Sequence, residues 1–228
     1  MKRKLIVQKI AECIHRMPSM HPLRVGIDGV DASGKTSFAD EIAAQLAHTQ
    51  RQIIRASVDD FHQPREVRRM KGELSPHGFY SDSYNYAALT HHLLEPLGPT
   101  GDRHFKTAAF DLQNDRQINP PTQTAQRDAI LLMDGIFLLR SEIFTFWDLT
   151  IYLDIDFSRS FSRGVARDAK LYGSKEKAAR RYEKRYIPGQ KLYHAEAHPH
   201  DRADILIDNN NLESPRVLRI SNKLIQSD

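Results

Sequence analysis

Gly29-Val30-Asp31-Ala32-Ser33-Gly34-Lys35-Thr36, followed by Ser37, has the spacing G-x-x-x-x-G-K-[ST]. Its glycines let the backbone curl so that successive N–H groups converge, a geometry that suits phosphate oxygens. Lys35 is long enough to reach β- and γ-phosphates, and Thr36 carries a hydroxyl that can ligate Mg²⁺. The pattern has this meaning only where a strand leads into it and a helix leaves it. Both conditions hold. Leu23-Arg24-Val25-Gly26-Ile27 is a short β-rich run, and from Lys35 to His48 the residues Phe38, Ile42, Ala43 and Leu46 share one helical side. Residues 29 to 37 are therefore expected to bind the phosphates of a nucleotide.

The neighbouring segments repeat the same alternation. Gln52 to Val58 is β-rich and stops at Asp59-Asp60. Ala129 to Met133 is wholly apolar and stops at Asp134-Gly135. Leu149 to Leu153 and Ala203 to Ile207 read as further strands, and residues 2 to 17 as an amphipathic helix. Strand–turn–helix–strand order predicts an α/β fold, a doubly wound parallel sheet of about five strands in one domain spanning 1–228. Residues 61–126 are loop-rich around one helix, about Tyr84 to Leu97, and form the expected acceptor-binding insertion. Phe157 to Tyr186 reads as helical with a break at Gly173, and 157–190 as a lid.

Composition narrows the class. Of 228 residues 40% are apolar and 27% charged, which excludes a disordered chain. The single cysteine, Cys13, excludes a disulfide framework and a cysteine-based zinc cluster. The longest apolar run, Ala129 to Leu139, contains Asp134 and is too short to span a membrane. A basic start at Lys2-Arg3-Lys4 is followed by Gln8, Lys9 and Glu12 rather than an apolar core, so the expected location is the cytoplasm. Between Arg159 and Lys191 eleven Lys or Arg residues stand against Asp168, Glu176 and Glu183. Such a local field suits a polyanion, either a nucleotide or nucleic acid.

A phosphate loop needs a carboxylate near the metal, and Asp134, ending the apolar strand Ala129 to Met133, stands at the position expected for it. Asp59 and Asp60 end the next strand, where doubly wound sheets bind ligands. Either can take a proton from a hydroxyl, and Asp59 can also neighbour Mg²⁺. Strand alternation would point the two in opposite directions. Arg159, Arg163 and Arg167, four apart, share one helix face; Arg163 and Arg167 are expected over the γ-phosphate. A switch GTPase would carry a guanine-reading Asn-Lys-x-Asp, but the only Asn-Lys pair, Asn222-Lys223, lacks the Asp and lies at the C-terminus. A nucleic-acid-driven ATPase would need strand-tracking aromatics among the cations, and only Phe161, Tyr172, Tyr182 and Tyr186 qualify. His194, His198 and His200 lack the rigid spacing of a zinc site.

These residues resemble the uridine kinase and phosphoribulokinase family of P-loop kinases. Gly29 to Thr36 resembles its phosphate loop, Val58-Asp59-Asp60-Phe61-His62 its base-bearing stretch, and Met133-Asp134-Gly135-Ile136-Phe137 its Glu-Gly-Ile segment. Arg159 to Asp168 resembles its lid. Tyr182 with Pro188, and Ala203 to Ile207, resemble later landmarks. The resemblance implies transfer of a phosphoryl group from ATP, with Mg²⁺, to a small-molecule hydroxyl, commonly the 5′-hydroxyl of uridine or cytidine. Asp59 is then the base, Lys35 the phosphate clamp, and Thr36 with Asp134 the metal ligands. Asp60, His62, Tyr84, Phe110, Asp111 and Arg116 become candidates for the acceptor. Two features depart from the uridine kinases. Tyr172-Gly173-Ser174 replaces an Arg-Gly-Arg turn, and Phe110-Asp111 is followed by Asp115-Arg116 rather than a histidine. A sugar, a pantothenate-like acid or a vitamin riboside is the alternative acceptor. Self-association is compatible with all of these readings.

Overall fold

The computed structural model describes residues 2–221 and Leu224. Asn222 and Lys223, weighed above as a guanine reader, lie outside the described residues.

The central sheet contains β1 (Leu23–Gly29), β2 (Ile53–Ser57), β3 (Ile130–Asp134), β4 (Leu149–Asp154), β5 (Ile205–Asp208) and β6 (Arg216–Ile220). Their order is β6-β5-β4-β1-β3-β2. The first five run parallel, and β6 is antiparallel to β5 with a register shift between Val217 and Arg219. The expected five strands are thus present, with boundaries moved by a residue or two, and β6 is an addition. It is exposed along its whole length, so neither face offered the buried alternation by which a strand is recognised.

Helix α1 (Arg3–Arg16) and α2 (Lys35–Leu46) cover one face of the sheet. Ile6, Ile10 and Ile14 of α1 and Phe38 and Ile42 of α2 meet Val25, Ile27, Leu132 and Ile151 there. The opposite face is covered by the insertion and the C-terminal helices. Phe79, Tyr80 and Tyr84 pack with Phe137, Trp147, Tyr152 and Tyr193 around Leu131 and Met133. Burial on both faces explains why β1 and β3 read as continuous apolar runs.

Helix α3 (Pro76–Asp82) lies inside the insertion. The expected 84–97 helix is shorter: Asn85 caps Tyr86–Leu89, which widens into a turn at Thr90–Leu94. Two short antiparallel pairs complete the segment, His104–Phe105 with Gln123–Thr124 and Phe110–Asp111 with Arg116–Gln117. The segment expected to form the lid, 157–190, holds α4 (Phe157–Tyr172) and α5 (Lys175–Arg181) and the start of α6 (Ile187–Ala197). Gly173, at φ +84°, ends α4 in the left-handed conformation glycine adopts at little cost.

Register sets the position of the site. Ile27 pairs with Asp134, which also pairs with Ser57 on β2, while Gly29 pairs with Leu153. The carboxyl ends of β1, β2 and β3 therefore finish at one level, where ligands of such sheets bind.

Candidate active site

The phosphate loop turns tightly beneath β4. A Cβ on Gly29 would stand 2.5 Å from the Leu153 carbonyl oxygen, so a side chain cannot enter there. Gly34 opens α2 at φ +91°, and Ala32 also holds a positive φ of 58°. Asn209, just after β5, donates to Ser33 O at 2.6 Å and ties the loop to the sheet end. Lys35 Nζ donates to Val30 O at 2.9 Å and lies among Asp31, Asp28, Asp59 and Asp134; burial pulls its pKa below the usual value against their attraction.

Thr36 Oγ1 donates to Asp134 Oδ2 at 2.7 Å. The other Asp134 oxygen accepts from Arg55 at 2.9 Å, and Arg55 also pairs with Asp40. A hydroxyl and a carboxylate are the hard oxygen donors Mg²⁺ takes when it is shared with phosphates. No cluster of three or more His, Cys, Asp or Glu suited to a metal occurs among the described residues. An ion here would accordingly complete its shell with phosphate and water, and the donor set fits Mg²⁺.

Asp59 and Asp60 do not sit on β2. They occupy the 3₁₀ turn Val58–Phe61, capped by Ser57 Oγ, which accepts from Asp59 N at 3.3 Å. Strand alternation therefore does not govern them. Asp59 is among the charges that act on Lys35 and Asp31, whereas the Asp60 carboxyl is raised above its usual value by burial and then by Asp59 and Asp134. The charge of Asp59 is thus felt in the phosphate loop and at Asp60, and that of Asp134 at both Lys35 and Asp60. Tyr84 donates to Asp59 Oδ1 at 3.2 Å, and His62 Nδ1 donates to Asp59 O at 2.8 Å.

The lid arginines diverge. Arg167 makes a two-pronged pair with Asp168 at 2.7 and 3.0 Å and donates to Tyr182 Oη at 3.2 Å. Its charge also acts on Asp31 of the phosphate loop. Arg163 instead donates to the carbonyls of Asn209 and Asn210, at 3.4 and 2.6 Å. Arg159 turns back toward Asp156 at 4.0 Å.

Among the acceptor candidates, Asp60, His62 and Tyr84 converge on Asp59. Phe110 lines a cavity of about 240 Å³ shared with His62, Asn85 and His92. Asp111 and Arg116 pair with each other at 3.5 Å on their hairpin rather than with the Asp59 group. Phe79, Tyr80 and Tyr84, aromatic residues that could stack on a base or pack in a core, are each buried. His194 bonds Tyr152 Oη at 2.7 Å and His200 bonds Asp154 at 2.9 Å.

Three functional neighbours escaped sequence reasoning. Gln190 Oε1 accepts from Asp31 N at 2.6 Å, joining lid to loop. Arg55 holds Asp134. Asp28, fully buried, accepts from Gly29 N and from Tyr193 Oη, and burial raises its pKa to about 6. The signal for Asp28 was a carboxylate that follows Val25-Gly26-Ile27 and stands directly before the glycine loop.

Comparisons with known proteins agree with this geometry. The model of the phosphoribulokinase / uridine kinase family matches residues 25–185. Uridine-cytidine kinase B of Dictyostelium discoideum is 27% identical over 190 residues, covering 83% of this chain and 75% of that protein. A solved structure described as a possible uridine kinase from Bacillus stearothermophilus superposes with a TM-score of 0.66 at 21% identity, covering 88% of this chain and 96% of the other. D-glycerate 3-kinase from Cryptococcus neoformans superposes with a TM-score of 0.62 at 13% identity, over 93% and 99%. The last two show a shared fold. With the matched span reaching from within β1 through the phosphate loop, Asp59 and Asp134 and across the arginine-bearing helices to residue 185, this chain belongs to the phosphoribulokinase and uridine kinase family.

Proposed function

We propose that the protein transfers the γ-phosphoryl group of ATP to a hydroxyl of a small molecule. The observation that carries this reading is the meeting, at one sheet end, of Lys35, the Thr36–Asp134 pair and the Asp59 carboxylate. The phosphate loop would cradle the triphosphate through its N–H groups, with Lys35 leaving the Val30 carbonyl for the β- and γ-phosphates. Beside Gly34 and Ser37 a cleft of about 630 Å³, bounded also by Leu212 and Glu41, offers room for the nucleoside end of ATP. Thr36 and Asp134 would hold Mg²⁺, which when bound neutralises charge on the phosphate oxygens.

Asp59 accepts the proton of the acceptor hydroxyl as it attacks, and Tyr84 and His62 fix the carboxylate and its turn. Arg167, oriented by Asp168 and Tyr182, stabilises charge on the phosphoryl group in flight. Lid and loop joined through Gln190 and Asp31 exclude water, so the hydroxyl competes with hydrolysis. The names of the relatives make uridine and cytidine the first acceptors to try. Incubation with ATP, Mg²⁺ and candidate alcohols, read by product mass, tests the reading. A phosphorylated alcohol supports it, and ATP consumption driven by RNA with no phosphorylated alcohol contradicts it.

A further inference from the structure

Next to the Asp59 group is a cavity of about 130 Å³ whose walls carry Arg68, Arg69, Arg181 and Arg185. His62, which touches Asp59, forms part of the same wall, so the cavity opens beside the proposed base. Tyr186 lines it as well, and its carbonyl accepts from Gln190 Nε2 at 3.0 Å, the side chain whose Oε1 accepts from Asp31 N of the phosphate loop.

The charges here do not balance. Arg68 pairs with Asp115 at 2.8 Å. Glu73 serves both Arg69, at 3.5 Å, and Arg181. Arg185 has no carboxylate within ion-pair distance among the described residues. It is 6% exposed, lies over the Phe79 ring, and donates only to the carbonyls of Arg68, Glu73 and Ser75, at 3.3, 3.2 and 3.1 Å. Burial, with repulsion from Arg181, Arg68 and Arg69, pulls its pKa below the usual guanidinium value. Four guanidinium groups thus meet two carboxylates. An adjoining cavity of about 310 Å³ adds Lys177 and Arg180, with Glu73 its acid. Buried like charges repel at considerable cost unless an anion joins them. Guanidinium forks match the oxygens of phosphates and carboxylates two at a time.

We infer that the acceptor is an anionic alcohol, its phosphate or carboxylate group seated among Arg69, Arg181 and Arg185 while its reacting hydroxyl meets Asp59. The inference rests on the phosphotransfer reading above and narrows its substrate class. Glu73, half exposed, holds the place of that anion and is displaced when the acceptor enters. A neutral nucleoside offers these arginines nothing, in keeping with the departures from the uridine kinase pattern at Tyr172-Gly173-Ser174 and Asp115-Arg116.

The test measures binding with the nucleotide site filled by a non-hydrolysable ATP analogue and Mg²⁺. The probes are inorganic phosphate, ribose 5-phosphate, ribonate, ribose and uridine. Anionic probes are expected to bind and to raise the thermal midpoint, the phosphate and carboxylate arms showing which anion is preferred. Ribose and uridine are expected to bind at least about 10-fold more weakly. Arg181→Gln, a partly exposed position that can change without unfolding the chain, should weaken the anionic probe by about 10- to 100-fold while KM for ATP stays near wild type. Equal binding of ribose or uridine, no binding of any anion, or unchanged affinity in Arg181→Gln overturns the inference. Product mass is followed in parallel with ATP. Anions that bind but are never phosphorylated would contradict the phosphotransfer reading and leave the anion site standing.

Discussion

Tyr84 donates its hydroxyl to Asp59 Oδ1 at 3.2 Å while its ring packs against that of His62, 4.6 Å between centroids. Burial and the Asp59 charge hold the Tyr84 hydroxyl well above its ordinary pKa, so it stays protonated and remains a donor. One hydrogen bond to a carboxylate is worth roughly 1.5–3 kcal/mol, but Asp59 keeps its turn without it. Tyr84→Phe should therefore lower kcat by about 3- to 10-fold, whereas Asp59→Asn, which removes the base, should lower it by about 10²-fold or more. Both are read at saturating ATP and acceptor. A Tyr84→Phe loss as large as that of Asp59→Asn would make the tyrosine itself part of the proton transfer.

The charge of Asp134, a proposed Mg²⁺ ligand, acts on the Asp60 carboxyl, so removal of Asp60 should be felt by the cation. Asp60→Asn is expected to raise the Mg²⁺ concentration for half-maximal rate several-fold, with kcat at saturating Mg²⁺ within about 10-fold of wild type. An unchanged Mg²⁺ profile with a large loss of kcat would transfer the base role from Asp59 to Asp60.

The two lid arginines should separate kinetically. Arg167, locked by Asp168 and Tyr182, acts on the loop through its charge at Asp31, and Arg167→Ala should cost about 2–4 kcal/mol in kcat, as for removal of one preorganised donor. Arg163 is bound to the Asn209 and Asn210 carbonyls. Arg163→Ala should act mainly on KM for ATP, through the loop that steadies Ser33 and Gly34. The kcat and KM of each variant check this. Equal kcat losses would place both arginines on the transferring group.

Asp28 gives the fold a pH signature. Its carboxyl titrates near 6 in the fold against an ordinary 3.8, because burial outweighs the bonds from Tyr193 and Gly29. Below 3.8 both folded and unfolded chains hold the proton; between 3.8 and 6 the unfolded chain releases it first. This group's contribution therefore falls as pH rises through that window, by about 3 kcal/mol from the shift of roughly two units. Asp28→Asn should remove this slope. Urea unfolding of both proteins at pH 4 and pH 7 measures it, and a difference between the two proteins that does not change with pH would contradict the assignment.

Much of the site was legible in the sequence because its chemistry is local. The glycine loop, its flanking strand and helix, and Asp134 after Ala129-Ile130-Leu131-Leu132-Met133 each lie within a few residues of the feature that betrays them. Other parts depend on distant pairings that no spacing records. Arg185 meets Arg68 and Glu73 across more than a hundred residues of chain, and Gln190 meets Asp31 across 159. The turn at Val58–Phe61 follows from Ser57 acting as a cap, and a strand running to Val58 hid it. The edge strand Arg216–Ile220 pairs through its backbone alone and leaves Val217, Leu218 and Ile220 exposed. Phe79, Tyr80 and Tyr84 fitted a base-stacking or a core role equally in the sequence, since the partners that settle it, Phe137 and Tyr193, arrive from later segments.

Phosphoryl transfer at the loop is tested most directly by giving the chain ATP, Mg²⁺ and a panel of neutral and anionic alcohols, with Lys35→Ala beside the wild type. Folding of both is verified by thermal melting. The expected result is an alcohol that gains the mass of one phosphoryl group with wild type and does so at a rate lower by at least about 10²-fold with folded Lys35→Ala. Phosphorylation at the wild-type rate by folded Lys35→Ala, or ATP hydrolysis with no alcohol gaining mass, would contradict it.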